Sequence, residues 1–128
     1  MKRVAIHQPE HLPWLGYLDK ARHADCFVFL DTCAFKKNYF ENRNRIRTPQ
    51  GWAWVTVPIL TKGKFGQAFT EVEINNAARW PEVYYRTLLQ NYSKPPHWKE
   101  DAAPLEEIFL RPWTHLADLN LAVIEFLW

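Results

Sequence analysis

The first third of the chain contains two short apolar segments, residues 3–7 and 26–30, on either side of a stretch with helical periodicity. In that stretch, apolar residues recur at helical spacing: Leu15, Leu18 and Ala21. The second apolar segment has no polar position, which is typical of a strand covered on both faces, with Cys26 as a small buried residue. Two strands joined through a helix usually pair in parallel, so we expect an α/β fold that begins with a strand-helix-strand unit.

The rest of the chain predicts a hairpin and then helices. Residues 45–48 and 52–57 are separated by Pro49-Gln50-Gly51, which favours a turn between two antiparallel strands. Residues 69–74 alternate apolar and polar side chains, as in a further strand of a small mixed sheet. From Trp80 the periodicity becomes helical. It predicts three C-terminal helices: one that ends before Pro95, a short one before Pro112 and a third capped by Thr114.

Length and composition indicate one globular domain, residues 1–128, because a chain of 128 residues with 48% hydrophobic residues can bury one core. The net charge of +2 gives only a weak bias toward anionic partners. The start lacks the apolar core of a signal peptide, and no segment is apolar for long enough to span a membrane, so we expect a cytoplasmic protein. Cys26 and Cys33 match neither a metal motif nor a disulfide framework, which predicts free thiols.

The last predicted helix reaches Leu127 in the middle of its apolar pattern. An exposed amphipathic helix without a terminal cap seldom ends a domain. We therefore expect either that the chain is a fragment or that a partner subunit covers this face, for example in a homo-oligomer formed through the C-terminal helix.

The first candidate site is the loop between the first strand and the first helix. His7 and His11 flank a proline-containing turn at the carboxyl end of a predicted strand, where open α/β sheets bind their ligands. A histidine there can act as an acid or base or bind a phosphate, beside Gln8 and near Trp14, which can stack on a ring. Alternatively, His7 is a buried strand-end residue and His11 is only a surface residue.

The second candidate site is the stretch 36–47, in which five cations alternate with asparagines and aromatic residues. Guanidinium groups bind carboxylates and phosphates through two hydrogen bonds, and asparagine can bind amides and hydroxyls. These residues favour an anionic small molecule such as a nucleotide-sugar or an acyl donor. The substrate-binding candidates in this stretch are Lys36, Asn42, Arg43, Asn44 and Arg45. Equally, alternating arginines could be the solvated face of a hairpin.

Asp31 follows the second predicted strand and should therefore lie beside His7. Its carboxylate could orient a histidine, and His7 and Asp31 are the predicted catalytic pair. The alternative is that Asp31 only caps a turn.

Several kinds of site are not indicated. The five histidines and two cysteines form no zinc-binding pattern, and with Pro9 between them His7 and His11 are not on one helix, so no metal is expected. No phosphate-binding glycine motif or nucleophile elbow occurs, and no cofactor is expected. Nucleic acid is the weakest candidate partner, because the positive charge is confined to one stretch.

An ordered series of residues resembles the WbqC-like family. The residues that carry the resemblance are Ile6-His7-Gln8-Pro9, Leu12-Pro13-Trp14-Leu15-Gly16-Tyr17, Lys20, Asp25, Phe27-Val28-Phe29-Leu30-Asp31, Asn42-Arg43-Asn44-Arg45-Ile46, Gly51, Val57-Pro58, Asn91-Tyr92 and Asn120. The resemblance covers nearly the whole chain. It implies a role in bacterial surface-polysaccharide synthesis, including that of O-antigen, as a transferase for which glycine or aminoacyl transfer to a sugar has been suggested.

The chain departs from that family at three positions and in length. The family usually has an aromatic residue at position 11, a glutamine at position 34 and a tryptophan at position 40, where this chain has His11, Ala34 and Phe40. Family members also continue beyond the helix that ends here at Trp128, so the domain is expected to be truncated at its C-terminus. The resemblance therefore favours a transferase, and the alternative is a noncatalytic module that binds a nucleotide-sugar or a partner.

Overall fold

The computed structural model describes residues 1–128 and has the expected α/β organisation. It begins with strand β1 (Val4–His7), helix α1 (Leu15–Arg22) and strand β2 (Cys26–Phe29). β1 and β2 pair in parallel, with His7 opposite Phe29, which confirms the strand-helix-strand unit. Their carboxyl ends therefore lie side by side, and the Leu30 N–H donates to the His7 carbonyl at 2.8 Å.

The predicted hairpin is also present. Strand β3 (Arg43–Thr48) pairs with strand β4 (Gly51–Thr56) in antiparallel register, so that Arg45 faces Trp54. Gly51 has a φ of 126°, a backbone conformation that L side chains rarely adopt, which explains a glycine at the end of this turn. The two pairs of strands form separate two-stranded sheets rather than one sheet.

Three expectations about local structure are wrong. Residues 69–71 form a short 3₁₀ turn (Phe69–Glu71) instead of a strand, because the Glu71 carboxylate accepts the Ala68 N–H at 2.8 Å and closes the turn. β2 is not covered on both faces: Val28 is 40% exposed, and Cys26 is exposed rather than buried. Both cysteines are free, as predicted.

The C-terminal half consists of three helices, α2 (Trp80–Tyr92), α3 (Trp98–Leu110) and α4 (Leu116–Leu127). α3 is longer than predicted and contains Pro104, and α4 begins after His115 rather than at a Thr114 cap. None of these helices, nor α1, is long and apolar enough to cross a membrane.

The main core lies between the hairpin and the C-terminal helices. Its fully buried members come from α3, α4, the 3₁₀ turn and the segments beside it: Val57, Phe69, Val72, Phe109, Leu116, Leu119 and Val123. Most of the apolar face of α4 is therefore covered within the chain, but Leu127 at its end and the following Trp128 are exposed. A homo-oligomer formed through this helix stays a prediction.

Candidate functional site

The two stretches singled out in the sequence lie side by side. We call residues 7–13 the histidine loop and residues 36–47 the basic segment. The His11 N–H donates to the Phe40 carbonyl at 2.9 Å. The Asn44 amide donates to the carbonyls of His11 at 3.1 Å and Leu12 at 2.7 Å. All three distances are within the usual range for hydrogen bonds, so these contacts link the two stretches directly.

Asn120, on α4, joins both stretches to the core. Its fully buried side-chain amide donates to the Pro9 carbonyl at 2.7 Å and to the Glu41 carbonyl at 2.8 Å. Its oxygen accepts from His11 Nδ1 at 2.8 Å. All three hydrogen-bonding positions that this amide uses are therefore directed at the histidine loop and the basic segment.

His11 has a structural environment rather than a ligand-accessible one. The ring is fully buried, and Nε2 lies 2.6 Å from the Tyr84 hydroxyl. Because the Asn120 oxygen can only accept, Nδ1 carries the proton and Nε2 accepts from Tyr84. Burial lowers the pKa of His11 to about 4, so the ring is neutral at physiological pH. The expected substrate-binding role of His11 has no support from this position.

The stability of the protein should depend on pH through His11. The unfolded histidine binds a proton near pH 6.5, whereas the folded one does so near pH 4. The contribution of His11 to the free energy of unfolding is therefore complete above pH 6.5. It falls by about 3 kcal/mol as the pH drops toward 4. Chemical unfolding of the wild type and of His11→Phe, measured at several pH values, tests this.

Comparing the wild type with His11→Phe isolates the pH dependence that His11 causes. Burial raises the pKa values of Glu10 and Glu41, whose stabilising contributions are present below pH 4.5 and are lost as the pH rises. The contributions of Glu10 and Glu41 are the same in the wild type and in His11→Phe. The difference between their free energies of unfolding should move in favour of His11→Phe as the pH falls, and a difference independent of pH would contradict the assignment.

A cavity of about 360 Å³ opens where the two stretches meet. It is lined by residues from the histidine loop, the start of α1 and the basic segment: Glu10, Trp14, Tyr39, Phe40, Asn44 and Arg45. Three of the lining residues are therefore aromatic, and the other three carry a carboxylate, an amide and a guanidinium group. Three of the predicted substrate-binding residues, Trp14, Asn44 and Arg45, are among them.

Two carboxylates at this junction, those of Glu10 and Glu41, are not indicated as site residues by the sequence. Glu10 is only 7% exposed and Glu41 is fully buried. Burial raises the pKa of Glu10, and the charge of nearby His7 lowers it by a smaller amount. Burial also raises the pKa of Glu41, one of whose oxygens accepts the Lys36 N–H at 2.7 Å while the other has no partner. The charge of Glu10 raises the pKa of Glu41 further, by a smaller amount than burial does.

Neither member of the predicted catalytic pair lines the cavity, although His7 is close enough to Glu10 for its charge to lower the pKa of that carboxyl. The half-buried His7 ring packs edge-on against Tyr17 with centroids 4.7 Å apart, and its Nδ1 lies 3.2 Å from the Gln8 carbonyl. Asp31 follows β2 as expected, and its carbonyl accepts the Thr70 N–H at 3.1 Å. Gln8 donates to the Cys33 sulfur at 2.8 Å, which ties the histidine loop to the segment after β2.

The remaining candidates have contacts within the basic segment and the hairpin. The buried Asn42 amide donates to the Val57 carbonyl at 3.0 Å, which is a structural contact. Arg43 donates to the Asn38 carbonyl at 2.6 Å and lies over Trp54 at 4.4 Å. The Lys36 ammonium lies 5.6 Å from the centre of the Tyr39 ring.

Trp14 stays over the cavity because residue 16 is glycine. The indole ring lies against Gly16 so closely that any side chain there would overlap it. Gly16→Ala should therefore displace the ring. Because alanine suits a helix better than glycine, stability should change by no more than about 1 kcal/mol. Thermal unfolding and ligand affinity measured together check this. The matched control is Leu15→Ala, at an exposed neighbour, and equal ligand binding by both variants would contradict a role for Trp14.

The sequence is similar to known proteins over most of its length. Residues 8–128 match the profile of the WbqC-like protein family. The chain belongs to the WbqC-like family. It is also 40% identical over 121 residues to the uncharacterized protein Rv1507c of Mycobacterium tuberculosis. The match covers 94% of this chain and 52% of that relative, so the chain spans about half of the relative's length. No solved structure matches it significantly.

Membership of the WbqC-like family confirms the resemblance noted in the sequence. The relative is uncharacterized, so family membership by itself names no reaction. The residues that carry the resemblance nevertheless have a shared physical role. Pro9, Asn44 and Asn120 are partners in the hydrogen bonds that hold the histidine loop against the basic segment.

Proposed function

We propose that this WbqC-like chain contains the sugar-binding part of a transferase that acts in bacterial surface-polysaccharide synthesis, including that of O-antigen. The observation that carries the proposal is the cavity that Glu10 and Arg45 line together with Trp14 and Phe40. Aromatic walls with a few convergent polar groups are typical of small-molecule sites. The family resemblance supplies the reaction class, transfer of glycine or another acyl group to a sugar.

Each kind of side chain in the cavity suits one part of such a substrate. An aromatic ring packs against the apolar face of a sugar, and the Glu10 carboxylate can accept hydrogen bonds from hydroxyl groups. Arg45 is exposed and can bind a phosphate or carboxylate of an anionic donor. The cavity is large enough for a sugar ring and part of an attached group.

Glu10 is the group best placed to act as a general base. The raised pKa brings its carboxylate closer to neutrality, where a base can accept and return a proton during turnover. In acyl transfer, the sugar oxygen or nitrogen attacks the carbonyl carbon of the activated donor. The bond from that carbon to the leaving group breaks, the leaving group departs with the bonding electrons, and Glu10 takes the proton lost by the attacking atom. The nearby His7 can stabilise the Glu10 carboxylate.

A noncatalytic binding module is the second candidate. It is favoured by the contact of His7 Nδ1 with the neighbouring Gln8 carbonyl and by the packing of the ring on Tyr17, which give that histidine a structural environment. In such a module the cavity would bind the same anionic sugar ligand, and Glu10 would only contribute a hydrogen bond.

A ligand screen tests the proposal. Thermal unfolding would be followed with nucleotide-sugars, free amino sugars and activated acyl donors, and chromatography would detect any product. We expect a sugar-bearing ligand to raise the unfolding temperature of the wild type and to do so less for Arg45→Gln. Arg79→Gln, at an exposed position near α2, is the matched control. If no sugar ligand stabilises the wild type, the proposal is wrong.

A further inference from the structure

The outer face of the hairpin alternates arginine and tryptophan. Arg45 lies directly opposite Trp54, and Arg47 lies opposite Trp52. Because alternate residues of a strand share a face, Arg43 is on this face as well. The Arg45 guanidinium carbon is 4.9 Å from the Trp52 ring centre and 5.4 Å from that of Trp54. We call these five residues the arginine-tryptophan ladder.

The ladder is exposed, and its charges are not neutralised by the chain. Trp52 is 56% exposed and Trp54 is 41% exposed. None of the ion pairs in the protein includes an arginine of the ladder. Contact with tryptophan orients the guanidinium groups of Arg43 and Arg45 through cation–π interactions. Such a contact uses the face of the guanidinium group and leaves the N–H groups of the exposed Arg45 able to bind an anion. The ladder is therefore a row of positive charges beside exposed rings.

The ladder continues into the cavity. Arg45 belongs to both, and Phe40 lines the cavity while its ring lies 6.0 Å from the Trp54 ring. A ligand bound in the cavity that extends past Arg45 would therefore lie along the hairpin. Alternate arginines on one strand are about 7 Å apart, which requires an extended ligand with repeated negative charges.

We propose that the arginine-tryptophan ladder binds an acidic oligosaccharide whose terminal sugar occupies the cavity, an inference that rests on the proposed function. The carboxylates of the oligosaccharide pair with Arg45 and Arg47, and the apolar faces of its rings pack on Trp52 and Trp54. An oligosaccharide fits better than single-stranded nucleic acid because the ladder offers only three arginines and the chain carries a net charge of only +2.

Calorimetric titration with trigalacturonate, an acidic trisaccharide, tests the ladder, with neutral maltotriose as the uncharged comparison. We expect trigalacturonate to bind the wild type and to bind at least about tenfold more weakly to the double variant Arg45→Gln/Arg47→Gln. Trp52→Ala should also weaken binding. Arg79→Gln/Arg86→Gln, which removes two exposed charges elsewhere, should bind as the wild type does. Circular dichroism confirms that each variant is folded.

The outcomes separate this inference from the transferase proposal. The ladder proposal is overturned if trigalacturonate does not bind, if maltotriose binds as well, or if the ladder variants bind normally. It is also overturned if oligothymidylate binds more tightly and loses affinity in the same variants, since the ladder would then be a nucleic-acid surface. Loss of turnover in Glu10→Gln with normal binding by the ladder variants would leave only the transferase proposal standing.

Discussion

Replacing Asn120 with alanine is expected to lower the free energy of unfolding by about 3–5 kcal/mol. The buried amide holds the Pro9 and Glu41 carbonyls and Nδ1 of His11, and its removal takes this partner from all three groups in the interior. Urea unfolding monitored by circular dichroism measures the change. The same variant should also lose ligand binding, because the histidine loop and the basic segment are no longer held together.

Asn91→Ala is the matched control for Asn120. The Asn91 amide donates only to the Thr87 carbonyl, one turn earlier on α2. The expected loss is about 1 kcal/mol, since this bond is local and partly exposed. Equal losses in the two variants would show that Asn120 does not link the two stretches.

Replacing Glu10 with glutamine is expected to lower the turnover number by roughly 100- to 10,000-fold, because glutamine cannot accept a proton. The shape of the cavity is kept. Burial raises the pKa of Glu10, so at neutral pH the ionised carboxylate costs folding energy and the amide removes that cost. The unfolding temperature of Glu10→Gln should therefore be at least as high as that of the wild type.

Loss of turnover without loss of stability in Glu10→Gln distinguishes a catalytic role of Glu10 from a structural one. A structural carboxylate would lower both stability and turnover when replaced, whereas a catalytic one lowers turnover alone. Glu10→Asp, which keeps the charge but shortens the side chain, should recover part of the activity. Normal turnover by Glu10→Gln would contradict the role of Glu10 as the base.

The elements defined by local pattern could be predicted from the sequence. The parallel pair follows from two apolar segments around a helix, and the hairpin follows from Pro49 and Gly51 between two apolar-polar strands. The strand expected over residues 69–74 does not form, because an alternation of apolar and polar residues does not by itself supply a partner strand. The Glu71 side chain instead accepts the Ala68 N–H and closes a turn. The burial of β2 was overestimated for a similar reason, since an apolar run does not reveal how many layers cover it.

Part of the candidate site could be predicted as well. Trp14, Asn44 and Arg45 line the cavity, and the chemistry of these side chains predicts a role in binding from the sequence alone. Glu10 and Glu41 could not be found in this way, because their burial results from contacts between distant parts of the chain. Asn120 did leave a signal: it is a polar residue in the buried stripe of α4, where an amide needs hydrogen-bond partners.

The most direct test of the account is to locate a bound ligand by amide chemical-shift changes in solution, using a sugar ligand identified by the thermal screen. If the histidine loop and the basic segment form one site, the signals of Glu10 and Trp14 should move together with those of Phe40, Asn44 and Arg45, with a single dissociation constant. Changes restricted to one of the two stretches, or confined to the C-terminal helices, would show that the cavity beside Glu10 is not the binding site.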